Sequence, residues 1–205
     1  MRVGVLAART AIGALFIGHG TQKLFGSFGG PGLEGTTEMM KAIKMEPARP
    51  NAIAAGVTET LGGAMLLAGL ETPVACSMLI GTMITAIRKV NAANGPWMSK
   101  GGYEYNGVLI TALVMIAEEG PGVLSLDALR GKERKGTLWA LTALGLGAAA
   151  STIVIELGRR ASLELEDLDE VVQIDEATVE SELEEDDRLT LDLRQNTAMG
   201  ADPLG

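Results

Sequence analysis

Residues 137–155, TLWALTALGLGAAASTIVI, run for 19 positions without a charged side chain. At ~1.5 Å per residue a helix of this length covers ~28 Å, close to the ~30 Å hydrocarbon core of a bilayer. No polar stripe recurs along it at helical spacing, as a helix lying on a soluble core would require. Charges crowd its two ends instead, RGKERK at 130–135 and Glu156 with GRR at 158–160. The pattern predicts a membrane-spanning helix.

The same reading extends towards the N-terminus. Residues 3–25 are apolar apart from Arg9, His19 and Lys23, and residues 51–70, NAIAAGVTETLGGAMLLAGL, carry only Glu59 as a charge. Residues 73–90 form a third run, with Thr72 placed to cap it and Pro73 in the first turn, where a missing N–H costs nothing. Only Gly69–Thr72 separates the second run from the third, so the two must be antiparallel neighbours. Residues 103–117, YEYNGVLITALVMIA, make a shorter fourth helix. Composition agrees with packed membrane helices: of 205 residues 47% are hydrophobic but only 3% aromatic, and 27 are glycine, the residue that lets helices approach where lipid removes the usual incentive to associate. A cleaved secretory leader fits poorly, because Arg9 interrupts the apolar run and no Ala-x-Ala site follows. The expected fold is all-α, an integral membrane four-helix bundle with a fifth, C-terminal transmembrane helix.

Charge divides the chain near residue 160. Residues 1–160 carry 15 Lys and Arg against 11 Asp and Glu, whereas residues 161–205 carry 2 against 15. The acidic segment offers too little apolar surface to offset its chain entropy, and its like charges repel, which predicts a solvated, disordered tail. The implied organisation is a membrane domain over 1–127, a basic loop and additional helix over 128–160, and the tail over 161–205.

If the helices run up and down in order, the end of the first, the start of the second, the end of the third and the start of the fourth share one leaflet. His19, Lys23, Glu59, Arg88 and Glu104 then collect there, joined by the phenols of Tyr103 and Tyr105. Charges inside a membrane face the bundle interior and find partners, because lipid exposure costs ~2.5–3.5 kcal/mol at mid-helix. His19 and Lys23, four residues apart, share a face.

Three elements in this order, His-Gly-x-x-Lys within FIGHGTQKLFGSFGGPGLEGT, Glu-x-x-Gly-Gly within GVTETLGGAMLLAGLETP, and Gly-Tyr-Glu-Tyr within GGYEYNGVLITALVMIAEEGPGVLSLD, resemble the DoxX family of small multi-pass bacterial membrane proteins over roughly residues 3–127. The resemblance implies a four-helix membrane domain in the bacterial plasma membrane and an association with quinol-linked oxidase machinery. The helix at 137–155 and the acidic segment are additions to the family's usual short form.

The residues set limits on redox chemistry. A single histidine excludes haem held by two histidines of one chain, and a single cysteine, Cys76, excludes an intrachain disulfide, a Cys-x-x-Cys centre and a Cys-only iron–sulfur cluster. FGSFGGPG follows no strand and is a loop, not a dinucleotide fingerprint. No cofactor motif is evident in the chain, and one histidine with two glutamates is a poor zinc set. The feasible ligand is lipid-phase: a quinone headgroup needs hydrogen-bond donors and a proton carrier near the interface, roles open to His19, Lys23, Glu59, Arg88, Tyr103, Glu104 and Tyr105. An imidazole, which titrates near neutrality, suits a proton relay. The structural alternative is that the same charges only orient four helices and that the tyrosines anchor at the interface. The function expected is therefore a quinone-associated oxidoreductase subunit with redox partner proteins, or a non-catalytic membrane adaptor whose acidic tail recruits a partner. The basic residues flank apolar runs and make no nucleic-acid patch.

Overall fold

The computed structural model describes residues 3–199, and every regular element among them is a helix: α1 (Val3–Phe25), α2 (Gly32–Ala42), α3 (Ala48–Ala68), α4 (Thr72–Ala86), α5 (Glu104–Glu119), α6 (Leu126–Leu129) and α7 (Thr137–Met199). The chain divides into two units, residues 1–162 and residues 163–205.

In the first unit the most extensive contact is between α1 and α3. Glycines set its closeness. A Cβ added at Gly63 would stand 2.7 Å from the carbonyl oxygen of Gly13, and one at Gly20 would stand 2.6 Å from that of Gly56. Gly13 and Gly20 on α1, like Gly56 and Gly63 on α3, are seven residues apart, about two helical turns, so both levels of the seam lie on one face of each helix. The antiparallel α3 and α4 join through Gly69, whose φ of 64° and ψ of 46° end α3 in the left-handed region; Leu70 N–H donates back to the Met65 carbonyl at 2.9 Å. Further contacts run from α4 to α5, from α1 to α5, and from α2 onto α1 and α3. The core centres on Phe16, Leu66, Leu79, Ile80 and Leu113, with Ala140 and Ala143 from the start of α7.

Three stretches are long and apolar enough to cross a membrane: Val3–Phe25, Thr72–Asn94 and Thr137–Gln173. The protein is a membrane protein, all-helical among its described residues. The 51–70 helix forms, as α3, but is not one of the three. Its glycines, threonines and Glu59 dilute its hydropathy because that face meets α1 rather than lipid.

Two sequence expectations are corrected. The loop after the first helix contains α2, which the apolar-run reading does not include, because its core face is only Thr36 and Met40. Thr36 Oγ1 donates to the Gly32 carbonyl at 2.7 Å and reaches the Lys23 carbonyl at 3.2 Å, tying α2 to the end of α1. The acidic segment is helical through Met199 rather than disordered. Leu, Glu, Ala and Arg are strong helix formers, and their propensity sustains the backbone although the described large apolar side chains, from Leu163 to Leu191, are exposed. The Gly/Pro/Ala end of that segment lies outside the described residues.

Candidate functional site

The last turn of α1 and the middle of α3 are drawn together by the Gly20–Gly56 approach, and the first ion pair follows from it. Lys23 Nζ donates to Glu59 Oε2 at 2.6 Å, with the two side chains 21% and 6% exposed. At that burial water screens the pair little, so each charge depends on the other. His19 lies one turn back from Lys23 on the face the spacing predicts, and is exposed.

This pair borders an open cavity of about 650 Å³ lined by α1–α5 and the 150–154 segment of α7, all within the first unit. The volume is that of a site for one small organic ligand. Its walls are mainly apolar and methionine-rich, with Met39, Met40, Met45, Met78, Met83 and Met98. Polar groups lie among them: His19, Lys23 and Glu59, then Lys89, Tyr105 and Asn106 from the ends of α4 and α5. The expected meeting of four helix ends in one region is therefore what the structure has.

Its membership differs from the expected cluster. Glu104 joins neither His19 nor Lys23: its Oε1 accepts the Met98 N–H at 2.7 Å, within a loop closed by Glu104 N–H to the Pro96 carbonyl at 2.8 Å. As the first residue of α5 it faces the incoming chain, where unpaired N–H groups are at hand. Tyr103, next to it, does not border the cavity, whereas Tyr105 does. Arg88 turns away and donates to Thr152 Oγ1 of α7 at 3.0 Å. Of the seven residues expected together, His19, Lys23, Glu59 and Tyr105 share the site.

Two members were missed by the sequence reading. Lys89, beside Arg88 at the end of the third apolar run, was not among the expected members, and Asn106 gave no signal. Asn106 is 8% exposed, and its side chain makes one hydrogen bond among the described residues, a weak one to the Met83 sulfur at 3.4 Å. The cavity thus presents donors, one carboxylate and an apolar wall; no metal-holding cluster of His, Cys, Asp or Glu exists among the described residues.

A second polar cluster ties the far ends of the same helices. Arg9 is 1% exposed and donates to the carbonyls of Pro121 and of Leu124, the latter at 2.6 Å. Asp127, equally buried, accepts the N–H groups of Glu71 and Thr72 at 2.8 and 2.9 Å and the Thr72 hydroxyl at 2.9 Å, so its carboxylate neutralises the start of α4. Glu71 in turn pairs with Arg134, whose guanidinium lies 5.2 Å from the Trp139 ring centre. The signal for this lock was a lone arginine in an apolar run.

Residues 4–92, from α1 through the end of α4, match the family model described as DoxX. No curated protein and no solved structure matches the chain. The match includes His19, Lys23, Glu59 and Lys89 and stops short of Tyr105 and Asn106.

Proposed function

We propose, from the match of residues 4–92 to the DoxX family model, that this chain is a DoxX-type membrane protein, that its cavity binds a quinone in the plasma membrane of a bacterium and that it serves a membrane oxidoreductase as a subunit or accessory. We read α1, α3, α4 and α5 as the four-helix bundle that holds it. The observation that carries this reading is the Lys23–Glu59 pair at the border of an apolar cavity. An intramembrane ion pair is a functional candidate by default, and a ligand with a polar head and an isoprenoid tail matches both parts of the cavity.

The residues present fit such a group. Asn106 offers an amide with unused hydrogen-bonding capacity, Tyr105 a phenol, and Lys23 an ammonium already ordered by Glu59. Glu59 and His19 can hold a proton at a carboxylate and an imidazole bordering the cavity. The methionine side chains adapt to an irregular tail. A bound quinone would supply two-electron, two-proton chemistry, with the electrons coming from a redox partner protein.

Glu59→Gln keeps the shape and removes the charge. It is expected to weaken binding of a short-chain quinone by about tenfold or more, the size of one charge-assisted hydrogen bond, while the protein remains extractable and helical. Unchanged binding in a folded Glu59→Gln protein would remove the proposal. An adaptor role is the second reading, and it rests on the acidic helix over 163–199. It predicts that capture of a partner depends on that helix and is indifferent to the cavity.

A further inference from the structure

The end of α4 winds differently from the rest of the helix. Ile87–Asn91 form a π-helical turn, a local widening that recurs at functional sites. Its two cations take different directions: Arg88 reaches Thr152 on α7, whereas Lys89 borders the cavity. Among the described residues Lys89 has no hydrogen bond and no ion pair, and the charge that acts on it is another cation, Lys44. Lys23 is already matched by Glu59. Lys89 therefore leaves the cavity lining with one positive charge more than its carboxylate offsets, beside an apolar wall.

We infer that the cavity takes a single-chain amphiphile with one anionic head, of the fatty-acid carboxylate class, with Lys89 as the counter-charge and Asn106 as an amide donor. The inference rests on the reading that this cavity holds a lipid-phase ligand, but not on that ligand being a quinone. A volume of about 650 Å³ suits one chain. The carboxylate supplies the missing negative charge, the Asn106 N–H finds an oxygen in place of a sulfur, and the methionines line the chain.

The test is a titration of the full-length protein in a non-ionic detergent with a fluorescent polyene fatty acid and with its uncharged methyl ester. The acid is expected to bind about tenfold or more tightly than the ester. Lys89→Met should remove that preference and leave ester binding unchanged; Lys89→Arg, which keeps the charge, should restore it, and Lys41→Met, at an exposed pair with Glu38, should not alter it. Equal affinity for acid and ester, a preference that survives Lys89→Met, or no binding of either probe would overturn the inference. A short-chain neutral quinone serves as the third probe. If it binds and the acid does not, this inference falls and the quinone reading stands; if the acid binds and the quinone does not, the quinone reading falls and this one stands.

Discussion

Gly63→Leu is expected to prevent α1 and α3 from docking and to leave little folded protein after extraction. A Cβ at this position would lie 2.7 Å from the Gly13 carbonyl oxygen and 2.9 Å from the Ile17 nitrogen. Both are backbone atoms of α1, so no rotamer change relieves the clash and the helices must move apart. Overpacking in an ordinary core costs about 1–3 kcal/mol, and the loss here should exceed about 3 kcal/mol because lipid supplies no hydrophobic incentive to hold separated helices together. Gly18→Leu is the control: it lies on α1, the other helix of the pair, and a Cβ there meets nothing within 4 Å. Thermal unfolding in detergent should show a large fall in midpoint for the first variant and almost none for the second. Equal behaviour of the two would mean that the seam is not what joins α1 to α3.

Asp127→Ala should give the second large loss. The carboxylate accepts three hydrogen bonds at the start of α4, and Asp127's own N–H donates to the Gly69 carbonyl at 2.9 Å, so one residue holds the α3–α4 turn against the α6 segment. Alanine strands two N–H groups and a hydroxyl that are shielded from water, and takes the nearby negative charge from the buried Arg9. Each stranded group costs about 1–3 kcal/mol, and the total is expected at about 3–5 kcal/mol. Asp127→Asn retains an acceptor oxygen and should lose roughly half as much. Both numbers can be read from denaturant or thermal unfolding of detergent-solubilised protein. A loss under about 1 kcal/mol for the alanine variant would show that water already satisfies the α4 terminus.

The long helices were legible because apolar periodicity and length leave few alternatives: α1, α4, α5 and the start of α7 follow the runs that predict them, and Gly69 with Pro73 marks the α3–α4 turn. The nearness of Lys23 and Glu59 was legible for a related reason, since alternating helix directions bring the end of α1 alongside α3, although the partner of Glu59 stayed open among the nearby cations. Glu104 and Arg88 were misplaced because helix order fixes a leaflet but not a rotation. A loop amide took one of them and a threonine on α7 the other. Lys89 escaped attention for the same reason: consecutive residues of a helix face different directions, and helix order does not say which of the two cations faces inward. α2 was invisible because two inward side chains, Thr36 and Met40, make too faint a period. In residues 163–199 composition pointed to disorder while local propensity favoured a helix, and the charge argument alone did not weigh the second term.

The central proposal is that a quinone occupies the cavity bordered by the Lys23–Glu59 pair. Photo-crosslinking of a short-chain azidoquinone to the protein in lipid nanodiscs, with mapping of the labelled peptides, tests it most directly. The account predicts saturable labelling of cavity-facing positions from α1, α3, α4 and α5, such as Phe16, Ala55, Met83 and Leu109, suppressed by unlabelled quinone and diminished in Glu59→Gln. Labelling confined to exposed positions such as Val57, Leu61 and Val108, undiminished by competitor, would contradict it.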